Sequence, residues 1–126
     1  MAALFDTDIL IDFLRGLQEA KDALDVDRPD IYVSVITVAE LYQGVRDGAE
    51  RTCLDELIED LIVLDVEQDI AVTGGLHRRA HKQSHGSGLD DCLIAATAEH
   101  YNLTLKTLNT RHFPMVKTVL APYSKP

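Results

Sequence analysis

The acidic residues that could carry chemistry lie where carboxylates adjoin apolar segments. Asp6 and Asp8 follow the apolar run AALF, Glu40 lies within TVAELYQG, and Asp90 and Asp91 precede CLIAATA. Carboxylates that converge in a folded chain repel one another unless a hard cation neutralises them. No His or Cys stands at zinc spacing among these acids, so the donors are oxygens that favour magnesium or manganese over zinc or copper. The hypothesis is that Asp6, Glu40 and Asp91 form one metal site.

Each of these acids also has a purely structural interpretation. Asp is common at helix N-termini, so Thr7 or Asp8 can cap a first helix, and Asp90 and Asp91 can cap a later one. Adjacent helical residues point about 100° apart, so we expect one acid of that pair in the site and the other in a capping or solvent role. Glu40 lies opposite the apolar stripe of its helix, where an exposed Glu is the default.

The elements that must position these acids alternate between strand and helix patterns. AALF is typical of a buried strand, and a helix is predicted from about Asp8. The pattern predicts a second helix over about 17–26, before Pro29, and then the strand IYVSVI. Later helices are predicted in TVAELYQGVRDG, ERTCLDELIEDL, residues 67–84 and GLDDCLIAATAEHY. Later strands are predicted in IVLDV, LTLKTL and the tail.

This alternation predicts an α/β fold with a mainly parallel sheet that helices cover on both faces. Ligands of such sheets bind beyond the C-terminal ends of the strands, which is where Asp6 is expected. The helix that follows Asp91 is apolar on almost every side, so we expect it to be buried with its first turn near the core.

Composition is typical of one globular domain spanning residues 1–126. Hydrophobic residues make up 46% and charged residues 26% of the chain, which excludes a disordered or disulfide-stapled class. Cys53 and Cys92 lack C-x-x-C spacing and suit a reducing cytoplasm. We expect neither a signal peptide nor a membrane span, since acids interrupt the first apolar stretch and no other apolar segment is long enough.

The formal net charge of -9 is unusual for a chain that binds nucleic acid. The one concentrated basic stretch is HRRAHKQSH, in which Arg78, Arg79 and Lys82 are candidate phosphate contacts. A charge run of this kind is more often a solvated helix face. The i, i+4 spacing of His77, His81 and His85 also resembles a metal-ligand face, but three solvated histidines are the simpler interpretation.

Four segments in this order and spacing resemble the PIN-domain family, especially the VapC-type toxin ribonucleases of VapBC toxin–antitoxin pairs. They are FDTDILID, TVAELYQG, DDCLIAATA and LKTLNTRHF, and together they span nearly the whole chain. The resemblance implies a three-layer α/β/α sandwich. It also implies that Asp6, Glu40 and Asp91 hold Mg²⁺ or Mn²⁺, and that the protein hydrolyses single-stranded or loop RNA through an activated water.

The resemblance also assigns roles to neighbouring residues. Asp91 is favoured over Asp90 because the family acid stands two positions before LIAA. The fourth family position, often acidic, matches Asn109 here, and His112 occupies the other candidate position. A fourth carboxylate is therefore missing from both, which leaves open whether one or two ions bind.

Three further residues match family positions near the site. Thr7 and Thr107 match hydroxyls that support the acids or a metal-bound water, and Arg111 is placed for phosphate contact. The family also implies a homodimer held by helices and an antitoxin that wraps the toxin and blocks its site. An antitoxin tail bearing Arg or Lys would suit this acidic chain, because a cationic side chain neutralises the same carboxylates as a metal ion.

Two alternatives remain at this stage. FDTDIL also resembles the D-x-D opening of haloacid-dehalogenase-type phosphatases, in which Asp6 would attack phosphorus and Asp8 would act as the acid. That interpretation leaves Glu40 and TLNTRHF without roles, and its acidic pair should follow a strand. The other alternative is a PIN-like interaction module without catalytic activity, which the missing fourth acid suggests.

Overall fold

The computed structural model describes residues 2–81 and 87–125, which form one five-stranded sheet flanked by helices. The strands are β1 (Ala3–Phe5), β2 (Ile31–Ser34), β3 (Ile62–Leu64), β4 (Thr104–Lys106) and β5 (Val119–Leu120). The helices are α1 (Thr7–Leu14), α2 (Gln18–Asp27), α3 (Val35–Gln43), α4 (Ala49–Glu59), α5 (Gln68–Ala80) and α6 (Leu89–His100). One turn of 3₁₀ helix spans Thr110–His112.

The sheet has the strand order β3-β2-β1-β4-β5, and its pairings in the described residues are parallel. The prediction of a mainly parallel sheet is confirmed. In the central pair, Phe5 of β1 is in register with Lys106 of β4. The next residues, Asp6 and Thr107, therefore lie side by side at the C-terminal edge, where the Asp6 N–H donates to the Lys106 carbonyl at 2.9 Å.

The two faces of the sheet pack against different helices. Ala3 and Phe5 belong to one buried cluster with side chains of α1 to α4, whereas Leu4 belongs to a second cluster with Ile94 of α6 and Leu105 of β4. This alternation along β1 follows from the two-residue period of a strand. The result is the three-layer α/β/α sandwich that the sequence predicted.

The junction between β1 and α1 differs from its prediction in one respect. Asp6, not Thr7 or Asp8, is the N-cap of α1, since its extended backbone places Oδ1 2.8 Å from the Thr7 N–H. Ser34 plays the same role between β2 and α3, where Oγ accepts from the Ile36 N–H at 3.0 Å. The strand runs directly into the helix, so the last residue before the helix is the one that caps it.

Helix α6 is the buried helix that the sequence predicted, with six buried positions among its twelve residues. The predicted helix over 67–84 corresponds to α5, which ends at Ala80, and positions 82–84 of that prediction lie outside the described residues. In the described ranges, no helix has the length and apolar character needed to cross a membrane.

Gly74 sets the distance between α5 and α6. A Cβ atom at this position would lie 2.6 Å from Leu93 Cδ2 and 3.2 Å from Leu93 Cα, closer than packed carbon atoms approach. At the adjacent Gly75, an added Cβ would meet no atom within 4 Å. The two glycines therefore differ in packing although they lie in the same helix.

Replacing Gly74 by Ala should lower the free energy of unfolding by about 1–3 kcal/mol, because α6 or its Leu93 side chain must move. The matched variant Gly75→Ala should be neutral or raise stability by up to about 1 kcal/mol, since Ala favours the helix and nothing obstructs it. Thermal and urea unfolding of both variants check this difference. Equal stability of the two variants would contradict the close approach described for α5 and α6.

Candidate metal centre

Asp6 is a buried carboxylate at the C-terminal edge of the sheet. It is 6% exposed, and it accepts hydrogen bonds from the Thr7 N–H and from the Thr107 hydroxyl, both at 2.8 Å. Burial, followed by the nearby Asp8 charge, raises the pKa of Asp6 from 3.8 to about 7. The Thr107 and Thr7 hydrogen bonds oppose that shift, but burial and like charge outweigh them.

Glu40 reaches the same edge from α3. The Thr7 hydroxyl donates to its Oε1 at 2.7 Å and lies 3.0 Å from the Thr37 hydroxyl. Burial, and then contact with the Asp90 carboxyl, raise the pKa of Glu40 to about 7. The alternative interpretation of Glu40 as an exposed surface acid is wrong: Glu40 is half-buried because α3 lies beside the N-terminus of α1, where the Thr7 hydroxyl donates to it.

The first turn of α6 contributes two acids with different surroundings. Asp91 is half-buried, and its Oδ2 accepts from the Gly88 N–H at 3.4 Å and lies 3.5 Å from His112 Nδ1. Asp90 is exposed and contacts Glu40. The pKa of Asp91 is raised by burial first and then by Asp90. Asp91, the acid that the resemblance assigns to the site, therefore also makes the capping contact, and Asp90 is the solvent-exposed member of the pair.

Asp8 is the acid of this edge that sequence reasoning assigned only to capping or to the phosphatase alternative. Its Oδ2 accepts from the Leu108 N–H at 2.9 Å and from Asn109 Nδ2 at 3.2 Å, so it holds the segment after β4 against α1. Burial is the main cause that raises the pKa of Asp8. The D-x-D spacing could have indicated that Asp8 lies at the same edge as Asp6, because both acids follow directly after strand β1.

The electrostatics of these acids fit a cation. The charges of Asp8 and Asp91 raise the pKa of Asp6, and those of Asp90 and Asp91 raise the pKa of Glu40, so the carboxylates act on one another. Every candidate donor is an oxygen, the preference of Mg²⁺ and Mn²⁺. One of these oxygens, Asp8 Oδ1, is buried and has no hydrogen-bond partner in the part of the chain that the structure describes.

Residues 2–81 and 87–125 contain no three His, Cys, Asp or Glu side chains already arranged to hold an ion. The carboxylates of this edge act on one another electrostatically, as the pKa values of Asp6 and Glu40 show, without forming a complete ligand set. The oxygen donors, the raised pKa values and the unpartnered Asp8 oxygen together make the donor set fit a hard divalent ion.

The candidate phosphate contacts lie on different elements of the fold. Arg111 is exposed on the 3₁₀ turn, two residues after Asn109. Arg79 is exposed on α5, while Arg78 is half-buried, and its Nη1 has no hydrogen-bond partner among the described residues. Burial raises the pKa of the Cys92 thiol and Arg78 opposes that shift, which places the guanidinium beside α6. Lys82 lies outside the described residues.

The histidines of the basic stretch do not form a metal-ligand face in the described residues. His77 pairs with Glu99 of α6 at 3.0 Å, and the His77 and His81 rings are 6.5 Å apart. His85 lies outside the described residues. The expectation of a solvated histidine is therefore wrong for His77, which is half-buried and pairs with Glu99.

The family profile described as PIN domain matches residues 3–117. This chain belongs to the PIN-domain family. Among curated PIN relatives, it is 40% identical to ribonuclease VapC10 of Mycobacterium tuberculosis, a match that covers 98% of this chain and 94% of the relative. It is 30% identical to toxin FitB of Neisseria gonorrhoeae, over 87% of this chain and 89% of that protein.

The PIN fold is also shared with solved structures. A toxin–antitoxin complex from Klebsiella pneumoniae contains a chain with a TM-score of 0.86 and 34% identity, covering 98% of this chain and 100% of its own. The FitAcB structure from Neisseria gonorrhoeae aligns with a TM-score of 0.76 and 30% identity, and the match covers 95% of this chain and 97% of that chain. The resemblance that the sequence motifs indicated is confirmed.

Replacing Asp6 by Asn should stabilise the metal-free PIN domain at neutral and higher pH. Folding raises the pKa of Asp6 from 3.8 to about 7, so the folded chain keeps a proton that the unfolded chain releases. The contribution of this proton to the free energy of unfolding is fully present below pH 3.8, and it is lost as the pH rises towards about 7. Asn keeps an oxygen acceptor without a charge to bury.

Thermal unfolding in EDTA at about pH 4 and about pH 8 checks this sign. The advantage of Asp6→Asn should grow with pH and reach about 1–2 kcal/mol, or roughly 4–8 °C in Tm. Asp25→Asn is the matched control: Lys21 and Arg28 lower the pKa of this exposed acid below 3.8, so the effect of its loss on Tm should be nearly the same at about pH 4 and at about pH 8. A Tm of Asp6→Asn below wild type at the higher pH would contradict the prediction.

Proposed function

We propose that residues 1–126 form a single nuclease domain, the toxin of a type II toxin–antitoxin pair, which hydrolyses RNA phosphodiester bonds with Mg²⁺ or Mn²⁺. The observation that supports this proposal is that the charge of Asp91 acts on both Asp6 and Glu40 at the C-terminal edge of a PIN-domain sheet. The relatives named ribonuclease and toxin, and the toxin–antitoxin complex with the same fold, support it.

Asp6, Glu40 and Asp91 are the residues that would hold the ion. When bound, a divalent ion supplies charge for a phosphate oxygen and lowers the pKa of a coordinated water. The chain orients the three acids through separate donors. The Thr107 hydroxyl and Thr7 N–H hold Asp6, the Thr7 hydroxyl holds Glu40, and the Gly88 N–H holds Asp91.

RNA must approach this acidic edge along basic residues, and we propose that Arg111 is the nearest of them to the site. Arg78, Arg79 and Lys82 are proposed as further phosphate contacts, of which Arg79 is exposed on α5. We expect the substrate to be single-stranded or loop RNA, because unstacked nucleotides can reach a site at a sheet edge.

Cleavage of a structured RNA pool tests the nuclease proposal. Wild type with Mn²⁺ should cut RNA, and Asp6→Asn or Asp91→Asn should lower the rate at least about 100-fold, a loss of about 2.7 kcal/mol of transition-state stabilisation. Asp22→Asn, an exposed acid of α2, is the control that should keep full activity. EDTA should stop cleavage by the wild type.

The same assay separates the alternatives. Mn²⁺ binding without cleavage of any RNA would support the inactive interaction module. Turnover of a small phosphate monoester with no RNA cleavage would support the phosphatase, although membership of the PIN-domain family argues against it. Cleavage that survives both substitutions would remove these acids from the mechanism.

A groove beside the acids suits a partner peptide. It has a volume of about 550 Å³, lies between α1, α3 and α4, and reaches Glu40 at one side. Its apolar lining includes Ile11 and Leu14, which are 36% and 39% exposed. We propose that the antitoxin lays an apolar segment in this groove and a basic tail against the carboxylates. The proposal includes a homodimer and a cytoplasmic location, which suits the free cysteines Cys53 and Cys92.

Leu14→Glu should weaken antitoxin binding at least about 10-fold, because a charge would replace an apolar contact in the groove. Val26→Glu is the matched control, since Val26 is 76% exposed on α2 and does not line the groove. Affinity for the cognate antitoxin is measured by titration calorimetry with each folded variant. Equal affinities for the two variants would place the antitoxin elsewhere.

A further inference from the structure

The fourth acidic position of the family holds Asn109 in this chain, yet the structure places a carboxylate against that residue. Asn109 Nδ2 donates to Asp8 Oδ2 at 3.2 Å, across a separation of 101 residues in sequence. Asp8 follows Asp6 by two residues, and the Thr107 hydroxyl lies 2.8 Å from an Asp6 oxygen and 3.4 Å from Asp8 Oδ2. Position 109 carries no carboxylate in this chain, but the carboxylate of Asp8 lies against it.

The two oxygens of Asp8 have different surroundings. Oδ2 accepts from Asn109 Nδ2 and from the Leu108 N–H, so its hydrogen-bonding capacity is used within the protein. Oδ1 is buried and, by donor–acceptor geometry among the described residues, accepts no hydrogen bond, although the adjacent Ile9 N–H acts on the Asp8 carboxyl and lowers its pKa. A buried carboxylate oxygen without a donor is costly, and a cation is the group that compensates an oxygen in an acidic setting.

We infer that Asp8 supplies the fourth carboxylate of the metal centre, in place of an acid at position 109, and that Oδ1 is its free donor. The inference rests on the proposed metal-dependent function and adds a residue to it. In this arrangement Asn109 orients Asp8 through its amide, so the acid and the amide have exchanged positions relative to the family pattern.

The competing structural role is that Asp8 only anchors the segment after β4 to α1 through Leu108 and Asn109. Asn at position 8 would still accept from the Leu108 N–H, so it preserves this anchor while removing the charge. An exchange variant, Asp8→Asn with Asn109→Asp, returns one carboxylate and one amide to the same pair of positions. A purely anchoring role and a ligand role therefore predict different metal affinities for the single and the exchange variants.

Titration calorimetry with Mn²⁺ tests the inference on the full chain, using wild type, Asp8→Asn, the exchange variant and Asp6→Asn. Asp8→Asn should lower Mn²⁺ affinity about 10-fold or more, and the exchange variant should restore it to within about 3-fold of wild type. Thermal unfolding without metal shows that each variant is folded. If Asp8→Asn does not fold, the exchange variant decides: near wild-type affinity supports the inference.

Wild-type affinity in Asp8→Asn would overturn the inference, as would a folded exchange variant that binds Mn²⁺ more than about 10-fold more weakly than wild type. The Asp6→Asn arm separates this failure from failure of the proposed function. If Asp6→Asn loses Mn²⁺ binding while Asp8→Asn keeps it, only the role of Asp8 is wrong. If wild type binds no Mn²⁺, both the metal centre and the role of Asp8 are wrong.

Discussion

The other features of this structure depend on one constraint, the like-charge repulsion among carboxylates at one edge of a parallel sheet. Burial alone would drive each acid towards its neutral form, and the neighbouring charges act in the same direction. Hydrogen bonds from hydroxyls and backbone N–H groups oppose the shift but do not cancel it. The result is that Asp6 and Glu40, whose pKa values are raised to about 7, hold protons near neutral pH unless a cation replaces those protons.

The scaffold maintains this unfavourable arrangement by making the acids part of necessary structural features. Asp6 caps α1 directly after the central strand, and its partner Thr107 follows the adjacent strand in register. Asp8 holds the backbone of Leu108. Since each acid also satisfies donors that would otherwise be unpaired, the fold keeps the charges in place, and the apolar clusters on both faces of the sheet supply the stability.

A single hydroxyl links two acids that are distant in sequence. Thr7 belongs to the same turn that Asp6 caps, and its side chain donates to Glu40 of α3. A shift of α1 relative to α3 would therefore change the surroundings of both acids at once. The groove between these helices and α4 reaches Glu40, so a peptide bound in it would lie against the same elements that position the centre.

The order of strands and helices, the parallel sheet, the buried helix after Asp91 and the family itself were predictable from the sequence, because two-residue and helical periodicities and local motifs encode them. The burial of Glu40 was not, since an acid opposite an apolar stripe becomes half-buried only when another helix packs beside it. The role of Asp8 at Asn109 was likewise hidden, because the contact joins residues 101 positions apart. Local pattern determined which elements form and that Asp6, Asp8, Asp90 and Asp91 lie near helix N-termini. The packing of α1 against α3 and the register of β1 with β4 decided which acids share an environment, because distances between segments depend on the whole core.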